Sequence, residues 1–588
     1  MILEKNPSLQ TSIGAAINRW YLADESECVR LLADIAREPE PRRQRIRDTA
    51  MTLVNAVRRN REHKSGLDEF LHKYDLSSQE GVVLMCLAEA LLRIPDADTA
   101  DRLIADKLSS ANWQEHVGTS ESLFVNASTW GLMLTGRFIR PDADMLTNPG
   151  SFLSRLASRV GEPVVRGALR QAMRIMARQF VMGRTIRDAL QRSRSGDNRE
   201  YRYSFDMLGE AALTAEDAQR YFDAYADAIA ALGESIEGKL AAEEAPSISV
   251  KLSALFPRYE FAQWRRVLEE LTPKLLELAR QAKAAGVALT VDAEEADRLE
   301  LSLAVFEAVY RSPDLDGWQG FGLAVQAYQK RALYVLRWLA GLAGQVGRRI
   351  PVRLVKGAYW DTEIKRAQEQ GLSGYPVFTR KVNTDVSYLA CAREMLAAGK
   401  HLFPQFATHN AHTVASILFI ASPMNNGRRD FEFQRLHGMG EELYDEVVGE
   451  EKMNAVCRVY APVGRHEDLL PYLVRRLLEN GANTSFVNRI VDEAAPVEDI
   501  VADPVSAVDA LDTIPHPRIP LPAHIYGERR RNSRGVNLAD RNELEPLARA
   551  MQAALEREWT AVPVIGGEHI DGATTPSIDP TDIRRVVG

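Results

Sequence analysis

The sequence has few cysteines and lacks any segment that could span a membrane. Cys28, Cys86, Cys391 and Cys457 are far apart and form no C-x-x-C pair, which excludes a disulfide framework and a zinc ribbon. No apolar run approaches the roughly 18 residues that a transmembrane helix needs. The N-terminus also lacks the basic-then-apolar pattern of a signal peptide. We therefore expect a cytoplasmic protein that is at most peripheral on a membrane.

An excess of basic residues is also missing. The chain has 73 Lys and Arg against 81 Asp and Glu, a net charge of −8, and a pI near 5.9. This balance argues against a nucleic-acid-binding surface spread over the whole molecule. Arg42, Arg43, Arg45 and Arg47 fit solvated helix faces better than a DNA site. We expect no nucleic-acid partner.

The periodicity divides the 588 residues into three regions. Residues 1–200 show helical patterns with polar breaks, and we predict a helical arm and a helical domain there. Residues 201–490 alternate β-rich runs with helical stretches, which is typical of a parallel sheet with crossover helices. Residues 491–588 contain the proline-rich IPHPRIPLP at 514–522, which predicts an extended connector followed by a short tail.

Eight β-rich runs lie in the middle region. They are 202–208, 247–252, 286–292, 320–327, 350–356, 402–408, 430–436 and 455–461. Eight β/α units over about 280 residues match a (β/α)8 TIM-like barrel. An open doubly wound sheet is the weaker alternative, because no G-x-G-x-x-G follows any run. The expected fold class is α/β, with the barrel preceded by the helical arm and helical domain.

The predicted strands end in polar residues. In a barrel these ends meet at one face, where active sites lie. Salt bridges between neighbouring strand ends could by themselves account for individual members such as Lys251 or Asp292. In chain order the residues are Asp206 and Glu210, Lys251, Asp292 and Glu294, Gln326, Arg353, Lys356 and Tyr359, Thr408, His409 and Asn410, Gln434 and His437, and Tyr460. We expect this face to be a functional site.

The segment after the eighth run, HEDLLPYLVRRLLENG, places four polar residues on one helical face. They are Tyr472, Arg475, Arg476 and Glu479. Two adjacent guanidiniums beside a tyrosine suit a bidentate grip on a small carboxylate. The alternative is a structural network in which Glu479 and Glu210 pair with the arginines. Spacing alone does not decide between the two.

Seven segments together resemble the FAD-dependent proline dehydrogenase barrel, and more closely the dehydrogenase half of bacterial proline utilization A. The similarity runs from about residue 75 to about residue 535. The segments are SVKLSAL (249–255), VDAEEADRLE (291–300), VQAYQKRA (325–332), VRLVKGAYWDTE (352–363), FATHNAHT (406–413), FEFQRLHGMG (431–440) and RVYAPVGRHEDLLPYLVRRLLENGANTSFVNR (458–489).

The resemblance implies that L-proline is oxidised at C5 to Δ1-pyrroline-5-carboxylate by hydride transfer to flavin, with ubiquinone at the inner membrane as electron acceptor. Lys251, Arg475 and Arg476 match the residues that hold the proline carboxylate, and Asp292 matches the group near the ring amine. The ring walls match Tyr359, Leu436, Tyr460 and Tyr472, and Glu210 and Glu479 would partner the arginine pair. No single dedicated base is expected.

FAD is the cofactor that the resemblance implies, and no metal is expected. Arg353 would lie near flavin N5, where a fixed positive charge favours the reduced anionic flavin. The positions that match FAD contacts are Gln326, Arg353, Lys356, Gly357, Trp360, Thr408, His409, Asn410 and Gln434.

Two features depart from the longest family members. Their ribbon-helix-helix DNA-binding segment has no counterpart in the first 45 residues, so autorepression is not expected. Residues 514–588 resemble only the start of an aldehyde dehydrogenase domain, so we expect a fragment of a bifunctional parent. A homodimer is a reasonable expectation from the helical arm, and Tyr460 at a ring-wall position favours proline over hydroxyproline.

Two other functions remain open from the sequence. Lys251 and Lys356 both end strands, as a Schiff-base aldolase or lyase on a TIM barrel requires, and borohydride would then trap a carbonyl substrate. The chain could also be a non-enzymatic scaffold with a vestigial barrel. Replacing Arg475 would then cost no activity.

Overall fold

Eight parallel strands close into a barrel in the computed structural model, which describes residues 12–61, 181–422, 430–464, 490, 495–557 and 559–588. Each strand pairs with the next along the chain, and β8 returns to pair with β1. The strands are β1 Arg202–Met207, β2 Ser247–Val250, β3 Ala288–Val291, β4 Phe321–Gln326, β5 Ile350–Val355, β6 Leu402–Ala407, β7 Glu432–Leu436 and β8 Cys457–Val463. The predicted barrel is confirmed, and the open-sheet alternative is wrong.

Helices cover the outside of the barrel, and further helices precede β1 and follow β8. The helical stretches predicted between residues 62 and 180 lie outside the described residues. The helices are α1 Ser12–Arg19, α2 Glu25–Ala36, α3 Glu40–Arg61, α4 Ile186–Ser193, α5 Ala215–Glu234, α6 Leu252–Leu255, α7 Thr272–Ala285, α8 Leu299–Tyr310, α9 Ala332–Val346, α10 Trp360–Glu369, α11 Lys381–Ala397, α12 Ala411–Ala421, α13 Glu441–Tyr444, α14 Val497–Ile500, α15 Pro504–Asp509 and α16 Arg541–Leu555.

The strands are buried on both faces. All residues of β2, β3 and β4 are buried, because helices cover one face and the barrel interior the other. Two small antiparallel hairpins follow α16, and their strands are mostly exposed. None of the helices in the described ranges is both long and apolar enough to cross a membrane.

The N-terminal arm, α1 to α3, docks on the barrel through buried polar contacts. The Glu25 carboxylate accepts hydrogen bonds from the Thr379 backbone N–H and hydroxyl, both at 2.8 Å, and from the Asn383 amide at 2.7 Å. The buried Lys330 ammonium donates to the Ala23 carbonyl at 2.7 Å. These contacts fix the arm against the helices that follow β4 and β5.

The proline-rich segment at 514–522 runs along the same side of the barrel. The Asn383 amide donates to the Ile514 carbonyl at 3.1 Å, and the Tyr375 hydroxyl donates to the Pro520 carbonyl at 2.6 Å. The Arg380 guanidinium also donates to the Ile514 carbonyl, at 3.1 Å. Side chains that follow β5 therefore satisfy carbonyls of this extended segment, whose prolines have no backbone N–H to donate.

Gly322 lets β4 and β5 approach closely. A Cβ atom at this position would lie 2.2 Å from the Pro351 carbonyl oxygen. We expect Gly322→Ala to lower the free energy of unfolding by about 1–3 kcal/mol, because the backbone must shift. Gly341→Ala is the control, since a Cβ at that exposed position of α9 meets nothing within 4 Å. It should raise the free energy of unfolding by about 0.5–1 kcal/mol. Equal effects in urea unfolding would contradict the packing argument.

Candidate active site

The polar strand ends meet at one mouth of the barrel, and the strand order divides them into two sectors. The first sector, β8 and β1 to β3, carries Asp206, Lys251, Asp292 and Tyr460. The second sector, β4 to β7, carries Gln326, Arg353, Thr408 and Gln434, together with the residues that directly follow these strands. The two sectors meet where β3 neighbours β4 and where β7 neighbours β8.

The Asp292 carboxylate, directly after β3, joins four strands. One oxygen accepts hydrogen bonds from the Tyr460 hydroxyl at 2.8 Å and from the Lys251 ammonium at 3.1 Å. The other oxygen accepts from Arg353 Nη1 at 2.7 Å. Lys251 also pairs with Asp206 at 2.8 Å. Two cations and two carboxylates therefore form one buried cluster at the mouth.

The protonation of this cluster follows from competition between burial and charge. Burial raises the pKa of Asp292, but Lys251 and Arg353 outweigh it and hold that pKa below its usual value. Burial raises the pKa of Asp206, and Lys251 offsets only part of the increase. Burial lowers the pKa of Lys251, but Asp206, Tyr460 and Asp292 outweigh this effect and raise that pKa well above its usual value. Lys251 is therefore a fixed cation, and Asp292 is the more strongly acidic of the two carboxylates.

Arg353 sits beneath Asp292 and is held by all three of its nitrogens. Nε donates to the Gln434 amide oxygen at 2.7 Å, and Nη1 donates to Asp292. Nη2 donates to the hydroxyls of Ser204 at 2.9 Å and Ser249 at 3.0 Å. The guanidinium also lies over the Tyr460 ring, 4.9 Å from its centroid. Its planar fork is thus fixed in a single orientation.

A second buried carboxylate sets the orientation of the Gln434 amide. One oxygen of Glu432 accepts hydrogen bonds from Gln434 Nε2 at 3.0 Å, Gln405 Nε2 at 2.8 Å and Arg458 Nε at 2.7 Å. A carboxylate can only accept, so the nitrogen of the Gln434 amide faces Glu432 and its oxygen faces Arg353.

The residues after β5 line the second sector. The Lys356 ammonium pairs with the half-buried carboxylate of Asp385, which also pairs with Lys381 at 3.3 Å. Lys356 and Lys381 outweigh burial and hold the pKa of Asp385 below its usual value. Gly357 has φ +134°, and a Cβ there would lie 2.5 Å from the Tyr328 ring. The turn that presents Lys356 therefore requires glycine.

Other predicted residues of this sector are held by the backbone. The Gln326 amide donates to the Glu294 carbonyl at 3.0 Å, which connects β4 with the loop after β3. The Trp360 indole N–H donates to the Phe378 carbonyl at 2.8 Å at the start of α10. Tyr359 immediately precedes this helix.

The predicted residues after β6 form the cap of α12. The Asn410 side chain accepts a hydrogen bond from the Thr413 backbone N–H at 3.1 Å, and the Thr408 hydroxyl accepts from the Asn410 N–H at 3.2 Å. His409 Nε2 accepts from the Leu436 backbone N–H at 3.1 Å, which places the ends of β6 and β7 in contact. His409 therefore carries no proton on Nε2 in this arrangement.

Part of the predicted site lies outside the described residues. Tyr472, Arg475, Arg476 and Glu479 are in this part, so the carboxylate grip and the structural network both remain predictions. Glu210 is described and lies partly exposed in the loop after β1.

Three family models match the chain. They are "Proline dehydrogenase" at residues 189–489, "DNA-binding domain of Proline dehydrogenase" at 66–180 and "Proline utilization A proline dehydrogenase N-terminal domain" at 11–58. The first alone matches more than half of the chain. The chain belongs to the proline dehydrogenase family.

Relatives extend this result over nearly the whole chain. The bifunctional protein PutA of Salmonella typhimurium is 50% identical over 587 residues, which cover 98% of this chain and 44% of that protein. The proline dehydrogenase of Deinococcus radiodurans is 27% identical over 332 residues, 55% of this chain and 93% of that protein. A crystal structure of a proline utilization A mutant from Bradyrhizobium japonicum is 48% identical, with a TM-score of 0.70, covering 91% of this chain and 53% of that one.

The match at 66–180 corrects one expectation. A proline dehydrogenase family model described as DNA-binding covers this segment, so the expectation of no nucleic-acid partner does not stand for it. The net charge of the whole chain could not reveal a local segment of this kind. Arg42 and Arg43, by contrast, lie on α3 and pair with Glu38 and Glu40.

Several contributors to the site were missed or undervalued from the sequence. Ser204, Ser249 and Glu432 were not singled out, and Asp206 was noted only as a strand end. Side chains alternate along a strand, so Ser204 and Asp206 share one face of β1. Polar residues on the interior face of a barrel, which is usually filled by branched apolar residues, were the available signal.

Glu363 links α10 to the loop that follows Asp292. One of its carboxylate oxygens accepts a hydrogen bond from the Ala296 backbone N–H at 2.7 Å, and the side chain is buried. Burial raises the pKa of Glu363 from 4.5 to about 7, which the Ala296 hydrogen bond only partly offsets. The stability contributed by the protonated form is therefore complete below pH 4.5 and is lost as the pH rises through about 7.

In the unmodified chain, the free energy of unfolding should fall by on the order of 3 kcal/mol between these two pH values as Glu363 becomes able to ionise. We expect Glu363→Gln to abolish this decrease, because glutamine cannot ionise. The measurement is equilibrium urea unfolding across that pH range. Glu369→Gln, at the exposed end of the same helix, is the control and should keep the pH slope of the unmodified chain. The same slope in Glu363→Gln would contradict the assignment.

Proposed function

We propose that the chain is an FAD-dependent L-proline dehydrogenase that oxidises L-proline to Δ1-pyrroline-5-carboxylate and passes the electrons to a quinone, the first step of proline catabolism to glutamate. The contact between Asp292 and Arg353 carries this proposal. It joins a sector suited to a small zwitterion to a sector suited to a large polar cofactor. The family membership supplies the reaction class.

The second sector fits FAD by the chemistry of its donors. Arg353 donates four of its five N–H groups to described acceptors, which leaves one for a bound group. Lys356 adds a cation on the same sector. FAD, when bound, supplies the acceptor for the hydride that leaves C5 of proline. The residues that would hold it are Gln326, Arg353, Lys356, Gly357, Trp360, Thr408, His409, Asn410 and Gln434.

The first sector fits the two charges of proline. A zwitterion needs partners of opposite sign and its ring needs apolar walls. Lys251, a fixed cation, would bind the carboxylate together with Arg475 and Arg476, while Asp292 would face the ring amine. Glu210 and Glu479 would hold the arginine pair. The ring would lie among Tyr359, Leu436, Tyr460 and Tyr472.

The amine must lose a proton before hydride can leave, because its lone pair then forms the C=N bond. Asp292 is a weak base, since Lys251 and Arg353 hold its pKa low against burial. Burial, with Asp206 and Asp292, raises the pKa of Tyr460, which keeps the phenol protonated. These directions support binding of the substrate and release of its proton to water, without a dedicated base.

The Schiff-base alternative fits the site poorly. A Schiff-base lysine attacks a carbonyl as the neutral amine, which requires a depressed pKa. Lys251 has the opposite perturbation, because two carboxylates lie within 3.1 Å of its nitrogen.

Other parts of the proposal rest on the resemblance. We assign residues 1–200 to a helical arm and helical domain, 201–490 to the barrel, and 491–588 to a linker and the start of an aldehyde dehydrogenase domain. The chain spans 44% of the Salmonella relative, whose name describes it as bifunctional. The second activity of such a protein would be L-glutamate-γ-semialdehyde dehydrogenase. Homodimer formation and peripheral contact with the inner membrane belong to the same proposal.

The first test is a visible absorption spectrum of the purified chain, before and after L-proline is added without oxygen. We expect a flavin spectrum that bleaches with L-proline. D-proline is the control, since its carboxylate would point away from the cationic group around Lys251. A protein that remains colourless after FAD is supplied would overturn the cofactor assignment, and a flavin that does not bleach would overturn the substrate assignment.

The role of Asp292 can be separated from the stability of the cluster. We expect Asp292→Asn to raise the KM for proline on the order of 10- to 100-fold, because a buried charge pair with the amine is lost. Asp206→Asn removes the other carboxylate from Lys251 and is the matched comparison. It should raise KM much less, since the Asp206 side chain is 1% exposed and that of Asp292 is 10% exposed. Equal increases in steady-state KM would contradict a direct contact between Asp292 and the substrate.

A further inference from the structure

Two serine hydroxyls in the barrel interior converge on one nitrogen of Arg353. Ser204 lies in β1 and Ser249 in β2, and both side chains are fully buried. Their oxygens lie 2.9 Å and 3.0 Å from Arg353 Nη2, and 3.2 Å from each other. Nη2 carries two hydrogens, so this pair of hydroxyls accounts for both.

We propose that Ser204 and Ser249 are positioning residues for the guanidinium of Arg353. Without them, Nη2 would keep two buried hydrogens with no acceptor among the described residues. The remaining contacts, to Gln434 and Asp292, lie on Nε and Nη1. A guanidinium that is hydrogen-bonded only through Nε and Nη1 can rotate about these two contacts. The serine pair therefore fixes both the plane of Arg353 and the distance of its charge from the mouth.

The charge balance explains why this position requires hydroxyl groups. A carboxylate at either position would add a buried negative charge next to Asp292 and weaken the field that Arg353 directs to the mouth. An apolar residue would leave the donors unpaired. A hydroxyl accepts the hydrogen bond but carries no negative charge, so it does not neutralise the positive charge of Arg353. The pair thereby preserves a fixed cation at the boundary between the two sectors.

Ser247 provides a matched control on the same strand. It lies two residues before Ser249, is buried, and its hydroxyl has no hydrogen-bond partner within the described part of the chain. Ser247→Ala therefore changes the same residue type in the same strand without touching Arg353.

Two of the three readouts rest on the proposed function, because both need bound flavin. In the flavin-loaded protein, we expect Ser204→Ala and Ser249→Ala each to lower kcat with proline about tenfold and the double variant about a hundredfold, with KM little changed. The flavin midpoint potential, measured by equilibration with a redox dye, should fall in the same order, because a displaced cation stabilises the reduced flavin less. Ser247→Ala should match the unmodified chain in every measurement.

Crystal structures of the double variant and of Ser247→Ala supply a readout that needs neither flavin nor proline. We expect the Arg353 guanidinium to tilt in the double variant alone. An unmoved guanidinium with an unchanged potential would overturn the positioning role, and the single variants give the same test should the double variant not fold. Failure of the unmodified chain to oxidise proline would overturn the proposed function, while the crystal structures would still decide the role of the serines.

Discussion

The Asp292 carboxylate is the interaction on which the mouth of the barrel depends. It accepts hydrogen bonds from Lys251, Arg353 and Tyr460, so residues from β2, β5 and β8 converge on the end of β3. The two buried cations, Lys251 after β2 and Arg353 in β5, would repel each other without it. Taking charges out of water costs several kcal/mol each, and such clusters persist only when every member is paired.

The buried charges around Arg353 form two groups. Asp206, Lys251 and Asp292 form one group of charges at the mouth. Arg353 joins this group through Asp292, and its other described partners, Gln434, Ser204 and Ser249, are neutral. Glu432 and Arg458 form a separate pair, at 2.7 Å. Gln434 connects the two groups, because its amide can donate to Glu432 and accept from Arg353 at the same time. The neutral amide thus links the orientation of Arg353 to that of Glu432 without adding a charge between them.

The sequence was sufficient to predict the positions of the eight strands, because continuous β-rich runs between helical stretches have few other structural solutions. Lys251, Asp292 and Arg353 could be predicted as site residues from one rule, that barrel strands present their last residues at a common mouth. The contacts among them could not. Whether Lys251 reaches Asp206, Asp292 or both depends on the relative register of three strands, and a shift of one residue would turn each side chain to the opposite face.

Ser204, Ser249 and Glu25 show why other contacts escaped prediction. The two serines are 45 residues apart, and their meeting at Arg353 is a consequence of barrel closure rather than of any local pattern. Glu25 lies 354 residues from Thr379 and resembles any acidic residue in the first turn of a helix. Only the folded structure shows that the Glu25 carboxylate accepts a hydrogen bond from the Thr379 backbone N–H, which would otherwise need water as its acceptor. The family motifs cover the mouth, whereas these supporting residues lie mostly outside them.

Under the proposed function, Asp292 also limits how the substrate amine can bind. A carboxylate offers about four acceptor sites, and three of them are already used by Lys251, Tyr460 and Arg353. With respect to the described residues, one site remains, which is enough for a single N–H of a secondary ammonium such as that of proline. An arriving amine therefore need not displace Lys251 or Arg353, whose charges keep Asp292 ionised. The three contacts that hold the barrel mouth together therefore also keep the Asp292 carboxylate charged, and they leave it one acceptor position for the amine.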